Sequence, residues 1–547
     1  MKLLERIEPV DAGGVTALTS TGNAAFFTYA NGSSLGWKLT PNGSGCAVSA
    51  TTSTPLRIVL DIREQYDSPG MGREYVISPE MGGALVSYRD KTMDATTFIH
   101  LRCKEEIRYK GEWVEVAYPR DAARNSEPSK LYAYVLGEST STLLAFGYGI
   151  TPEEARKQSA ASSKQRVSAP RVGADLSHDT LMAEVTTARV SVAQSLRWLQ
   201  APDGIWAGLP WFHQVWSRDE LIAALGFSRA QQLELIRSYL GKELINGELP
   251  TFLGSGTTCA DGVAWLCLLI KEYGAQSLPA EEKTRLIHFL ERARAGLLET
   301  RTARHGLIYS GHNATWMDTI GREGYRIEIQ AGYALMLSLL YELTGAQAYS
   351  QEHASFLGRI REYYWRRGYL ADGLNDDTIR PNVFLAYLLE PEILSETLWL
   401  HCFDAALNAL RLEWGGLSSV DTSDSRFHAT STGQNNLSYH NGDSWFFVNN
   451  MSAVAMHRLN GRRYSHVITG ILQSSTHEIL WHNLAGHPGE ISSAGLLDSW
   501  GCGIQAFSGG PYLWLLAELE TQSAHGKELI NTFWDSTNAS TSSTFFS

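Results

Sequence analysis

The sequence predicts a protein of two domains, an antiparallel β-sandwich followed by an all-helical domain. Three observations carry the prediction. At 547 residues the chain exceeds the roughly 250–300 residues beyond which one hydrophobic core stops growing. Its first 150 residues read as short strands separated by Gly, Pro, Asn and Asp. Beyond them, apolar residues recur three and four apart in segment after segment, with no strand-like run between, which excludes a parallel α/β sheet.

In the β domain, expected over residues 1–150, the strand signals are Leu56–Leu60, Thr97–Leu101, Glu112–Val116 and Leu131–Leu136. Residues 151–178 turn rich in Ser, Ala, Lys and Arg and read as a linker, although Pro152 suits a helix start. The helical domain is expected over 179–535. Its helices read as Leu181–Leu199, Asp219–Leu240, Gly262–Tyr273, Ala280–Leu298, Glu328–Leu343, Tyr349–Arg366, Leu394–Leu412, Trp445–Leu459, Tyr464–Leu480 and Tyr512–Leu519. Residues 536–547 are Ser/Thr-rich and read as a flexible tail. Several helix connections are long and carry Gly, Trp, Asp, Asn and His: Gly204–Arg218, His305–Arg326, Glu413–Asp443 and His482–Cys502. Long loops in a compact domain are commonly functional. A ring of helices with these loops gathered at one end accounts for them.

Composition narrows the chemistry. A formal net charge of −12 with no basic stripe argues against nucleic acid as a partner. No stretch approaches a membrane span, and Met1–Val10 lacks the apolar centre of a signal peptide. The six cysteines are scattered without metal-like spacing and read as reduced thiols, so a cytoplasmic location is expected and no metal or organic cofactor is implied. The sequon at Asn313-Ala314-Thr315 is expected to stay unused. The segment His477–His482 departs from the zinc helix H-E-x-x-H, because histidines five apart fall on different helix faces. Oligomeric state is left open.

Two carboxylates stand out. Asp318 closes Thr315-Trp316-Met317-Asp318, where an indole is expected to desolvate the acid and keep it protonated. Glu490 follows Pro488-Gly489, read as a tight turn that holds it on a stiff corner. Acids delivered from remote loops are what glycoside hydrolysis requires. Around them, Trp211, Phe212 and Trp216 offer rings for stacking on sugar. Arg218 and Asp219 form a possible hydroxyl-binding pair at a helix start, and Tyr439, His440 and Trp445 repeat the mixture.

At these windows the chain resembles the glycogen-debranching family, in its amylo-α-1,6-glucosidase module. That family's A-G-Y-P-W-F-x-x-W-G-R-D segment is similar to Ala207–Phe212 with Trp216–Asp219, and its T-W-M-D motif matches Thr315–Asp318. V-E-I-N-A resembles Ile327–Ala331, R-P-N matches Arg380–Asn382, and Y-H-x-G-x-x-W matches Tyr439–Trp445. A P-E loop resembles Pro488-Gly489-Glu490, here with Gly489 interposed; Leu209 and Ser217 also depart from the pattern. The resemblance implies an (α/α)6 barrel behind a β-sandwich, with Asp318 as general acid and Glu490 as general base. It implies that Trp211, Phe212, Trp216, Arg218, Asp219, Trp316, Glu328, Tyr439, His440 and Trp445 hold a terminal glucose. The implied activity is inverting hydrolysis of α-1,6-glucosyl stubs on a glycogen-like glucan or oligosaccharide. The alternatives are a related (α/α)6 glycosidase acting on α-1,4-glucan, trehalose or a glycosyl-glycerate, and a non-catalytic glucan-binding protein.

Overall fold

The computed structural model describes residues 2–21, 24–40, 44–63, 73–90, 95–123, 129–165, 167, 180–252, 254–301 and 305–521. The chain divides into two compact units, at Ala183 and Glu184. The expected tail at 536–547 and residues 166 and 168–178 of the expected linker lie outside the described residues.

The first unit is built on two antiparallel sheets. One has four strands, in the order Lys2–Pro9, Leu56–Arg63, Lys130–Ser139 and Ile107–Ala117. The other has eight, from Val15–Thr21 at one edge to Arg73–Glu80 at the other. Strand alternation turns Leu56, Ile58, Leu60 and Ile62 of the first sheet and Val86, Ile99, Leu101 and Phe146 of the second into one apolar core, which makes a sandwich. Within the segment expected as a linker, Pro152–Ser162 is a helix lodged on the eight-stranded sheet. Ser162 donates to the Phe146 carbonyl at 2.8 Å. Glycines at 45 and 147 make that approach possible, since a Cβ at either would collide with the helix.

The second unit contains twelve α-helices among its described residues, in chain order α1 (Thr180–Trp198), α2 (Ser217–Ala223), α3 (Arg229–Leu240), α4 (Gly262–Tyr273), α5 (Ala280–Arg301), α6 (Ile327–Thr344), α7 (Gln347–Tyr364), α8 (Asn382–Leu389), α9 (Glu396–Leu410), α10 (Phe446–Asn460), α11 (Ser465–His477) and α12 (Ala506–Thr521). The even-numbered helices pack each on the next, and α12 closes on α2. The odd-numbered helices flank this ring, α1 through Val192 and Leu196 against Gly509 of α12. Sequence explains the partition. Inner helices are apolar nearly all round, with Ile327–Leu337 and Phe446–Met456 fully buried, whereas outer helices such as α7 bury only a stripe (Phe356, Leu357, Ile360 and Tyr364). This is an (α/α)6 barrel.

Three differences from the expectation go beyond shifts of a few residues at helix ends. Asp219–Leu240 is two helices, because Ser228 forms a capping box with Gln231 and starts α3 afresh. The short run α8 went unread because Val383–Leu389 is almost uniformly apolar and shows no amphipathic period. The last helix begins at Ala506, before Tyr512. Its Ser508-Gly509-Gly510-Pro511 looks like a breaker but serves close packing, as a Cβ on Gly510 would lie 2.1 Å from the Ala223 carbonyl oxygen. Among the described residues no helix is long and apolar enough to cross a membrane.

Candidate active site

The connections that lead from an inner helix to the next outer one are short: residues 224–228, 274–279, 345–346, 390–395 and 461–464. Those leading from outer to inner helices are long: residues 199–216, 241–261, 302–326, 365–381, 411–445 and 478–505. All the long ones therefore lie at the end of the ring where the six inner helices begin. Asp318, Glu490, Tyr439 and His440 come from three of these loops, and Arg218 and Asp219 from the first turn of α2.

Glu490 is held rigidly. Its backbone N–H donates to the Cys502 carbonyl at 3.0 Å, and the next residue, Ile491, pairs with Trp445 in a small antiparallel ladder. The side chain is enclosed, with the residue 4% exposed. Oε1 accepts from the Tyr439 hydroxyl at 2.5 Å, and Oε2 from the Cys502 N–H at 2.8 Å. Burial, together with the Glu490 charge, raises the Tyr439 phenol well above its usual value, so it acts as a donor. The expected Pro488-Gly489 turn is absent. The chain turns at Leu484–His487 instead, where the His487 N–H donates to the Leu484 carbonyl. Gly489 serves close approach: a Cβ there would stand 2.5 Å from Glu478 Oε1 and 2.8 Å from Asn483 Nδ2.

Asp318 is the accessible acid, its side chain 34% exposed. It faces Arg218 Nη1 and His440 Nε2, each at 3.6 Å. The expected pairing with the Trp316 indole is not what the loop provides. Trp316 is buried, its Nε1 donates to Asn382 Oδ1 at 2.7 Å, and its ring meets His440, Trp445 and Phe447 edge-on. His440 stacks flat on Trp445, with centroids 4.8 Å apart and planes within 5°. Burial lowers its pKa to about 4, so the ring is neutral, and neither ring nitrogen hydrogen-bonds among the described residues.

Arg218 and Asp219 do not pair with each other. Arg218 Nε binds both oxygens of Asp261, at 3.0 and 2.8 Å, and Nη2 donates to the Ala314 carbonyl beside Asp318. Consecutive residues on a helix point about 100° apart, so the guanidinium reaches a carboxylate on the next loop. Asp219 instead accepts from Gln505 Nε2 at 3.1 Å. Burial pushes its pKa up to about 7; Arg218 opposes the shift, and the charges of Glu490 and Asp318 add to it. Both proposed acids thus act through charge on the same side chain, and the same two raise Tyr439. In distance, the neighbouring residues Tyr439 and His440 lie against the two acids, Glu490 at 2.5 Å and Asp318 at 3.6 Å.

Beneath that region lies a buried ion network. Arg322 binds both oxygens of Glu328, with Nη2 to Oε2 at 2.9 Å, and both oxygens of Asp372 at 2.7 Å. It also donates to Thr315 Oγ1, which ties down the loop that carries Asp318. Glu328, expected to hold sugar, is 1% exposed and engaged by Arg322 on both oxygens, so its place is under the site. Arg380, buried with its pKa lowered to about 10 by desolvation, donates to the carbonyls of Ser419 and His440. Trp211, Phe212 and Trp216 remain half-exposed at the loop end, with Trp216 edge-on to Phe212. Trp445 is buried and braces Tyr439, whose carbonyl accepts from its Nε1 at 2.7 Å.

Sequence reading passed over Asp261, Arg322, Asp372, Gln505 and Glu478. Asp261, Asp372 and Gln505 work through partners more than 40 residues away, whereas Arg322 also reaches Glu328 six residues on and Glu478 reaches Gly489 eleven residues on. Among the described residues one set, His353, Glu390 and Glu392, brings three possible metal-ligand atoms within 4.8 Å. It lies at the opposite end of the ring, where His353 and Glu390 already pair at 3.0 Å.

Two acids supplied by separate loops, one shielded and one open to solvent, with neutral and cationic donors around them, are equipment for cleaving a sugar acetal with water. The chain is a glycoside hydrolase. Over residues 185–513 it matches the family described as amylo-alpha-1,6-glucosidase, and it belongs to that family. No curated protein matches it. Among solved structures it is similar to a wild-type glycosidase (17% identity, TM-score 0.45, covering 63% of this chain and 99% of that one). It is also similar to a glycosidase variant in complex with glucose (16%, TM-score 0.46, 63% and 99%). A third is the GH63 mannosylglycerate hydrolase from Thermus thermophilus in complex with Tris and D-glycerate (15%, TM-score 0.44, 60% and 99%).

Proposed function

We propose that the protein is an inverting, exo-acting α-glucosidase that removes α-1,6-linked glucosyl stubs from glycogen-like or maltodextrin substrates. Asp318 protonates the glycosidic oxygen as the bond to C1 breaks. Glu490 takes a proton from the water that attacks C1 from the opposite face. The solvent-open acid is the one a bulky leaving group can reach, and the enclosed one suits a single water. Tyr439 and the Cys502 N–H aim the Glu490 carboxylate, while Arg218 stays cationic beside Asp318. Asp219, His440 and the half-exposed rings of Trp211, Phe212 and Trp216 hold the terminal glucose.

The observation that carries this reading is that the adjacent residues Tyr439 and His440 reach both acids, Glu490 at 2.5 Å and Asp318 at 3.6 Å, within the family's matched region. Asp318→Asn and Glu490→Gln are each expected to reduce kcat on panose by at least about 10³-fold, as loss of general acid or base catalysis requires, with binding retained. Proton NMR of the first product resolved should show β-glucose. Appearance of α-glucose refutes inversion, and turnover surviving in both variants refutes the assignment. Rates on panose, isomaltose, maltose, trehalose and mannosylglycerate fix the linkage; preference for any but the α-1,6 bonds overturns the debranching reading.

A further inference from the structure

The segment before Glu490 is clamped by a feature outside the reacting groups. Helix α11 ends in a π turn, Glu478–His482, a wider turn that recurs at functional sites. Its first residue, Glu478, is 1% exposed. Glu478 Oε1 accepts from the Gly489 N–H at 2.9 Å and from the Ser499 hydroxyl at 3.1 Å. Gly489 immediately precedes Glu490. Ser499 lies in the strand that pairs with Ser492 and so with the strand following Glu490. One oxygen therefore ties together the backbone entering the acid and the strand that backs it. Just after the π turn, Asn483 Nδ2 donates to the carbonyls of His487 and Gly503, at 3.0 and 2.7 Å, and completes the clamp.

We propose that Glu478 is a positioning residue for hydrolysis, fixing the Gly489 amide and the Ser499 strand so that the Glu490 carboxylate is held against its water. The proposal rests on the reading of Glu490 as the base. Glu478 never touches substrate; it acts through the backbone. Gly489 is the residue this arrangement demands, since any side chain would enter the space of the Glu478 carboxyl. The interposed glycine that separates this chain from the simple P-E pattern is thereby explained. Burial raises the Glu478 pKa to about 8, only partly offset by the two bonds it accepts, so the group is chiefly a neutral acid at pH 7. A neutral amide of the same shape can replace it.

The test compares Glu478→Gln, Glu478→Ala and Glu490→Gln as full-length proteins on panose at pH 7. Glu478→Gln should keep kcat within about threefold of wild type. Glu478→Ala should lose about 10–100-fold in kcat with KM within twofold, because a carboxylate displaced by an ångström loses rate rather than substrate affinity. A role in stability alone would lower the melting temperature of the Ala variant and leave kcat of the folded fraction intact, which overturns the proposal. So does a Gln variant as impaired as Ala. Should Glu478→Ala fail to fold, Ser499→Ala removes one of the two bonds and is expected to cost severalfold in kcat at unchanged KM; a wild-type kcat there refutes the clamp. Turnover by Glu490→Gln would remove the base itself and the proposal with it. An inactive Glu490→Gln beside a fully active Glu478→Ala overturns the positioning role alone.

Discussion

Gly501 offers a direct measure of how tightly the enclosed acid is set. The residue has φ +71°, and a Cβ built on it would stand 2.3 Å from Glu490 Oε2, with its own neighbours Glu490 Cβ and Ile491 Cγ1 at 3.2 and 3.1 Å. Ordinary contact begins at 3.4 Å, so Gly501→Ala requires the carboxylate oxygen to retreat by about 1 Å. Oε2 is the oxygen that accepts from the Cys502 N–H, and that bond must lengthen or break. Two costs follow. An alanine in the left-handed region loses about 1–2 kcal/mol of stability. Misplacing a reacting group by 1 Å costs on the order of 10²-fold in rate. Gly345 separates the two, since it closes α6 at φ +69° with nothing within 4 Å of its built Cβ. Gly345→Ala should pay the backbone cost alone, with a slightly lower melting temperature and unchanged kcat. Gly501→Ala should show a similar stability loss and a kcat on panose reduced about 100-fold. Equal kcat in the two variants would refute the claim that Glu490 reacts from the position seen here.

Two further outcomes test the scaffold. Glu328→Gln removes one of the two carboxylates that neutralise buried Arg322, and breaking such a pair costs about 3–5 kcal/mol, toward the lower end here because Asp372 remains; a denaturation free energy within about 0.5 kcal/mol of wild type would contradict the network's role. The buried His487 has its pKa lowered from 6.5 to about 4 by desolvation while it pairs with Ser195 at 2.8 Å. A depressed histidine stabilises the fold fully above the unfolded value and loses that contribution as pH falls from about 6.5 to 4, by roughly 3 kcal/mol. His487→Gln should therefore flatten urea-measured stability across that window, and an unchanged slope would assign the acid sensitivity to other groups.

The helices were legible because burial writes its period into sequence, whereas their division into a striped outer layer and an apolar inner one was implied only by the family resemblance. For the same reason α8 was lost, since a short all-apolar run has no phase to detect. Asp318 and Glu490 were readable as acids in unusual local company, but the company proved misleading. Trp316 faces the core, and Gly489 makes space for Glu478 where a turn was expected. Arg218 looked paired with its neighbour because adjacency is all a linear string displays, whereas the helix turns it toward Asp261, 43 positions on. Glu478 stood only inside the rejected zinc-like segment His477–His482, and its hold on Gly489 exists only once the loop is folded over it.

The ring is sealed by its final segment. Gly510 of α12 lies against Ala223 of α2, and a Cβ on Gly226 would lie 2.4 Å from the Gly510 carbonyl oxygen. Until those glycines meet, the flanks of α2 and α10 that α12 covers stay open. A ribosome must therefore extrude the chain through α12 before this enzyme can mature, and a premature stop even slightly upstream of Ala506 would leave an open, sticky horseshoe in place of a weakened catalyst.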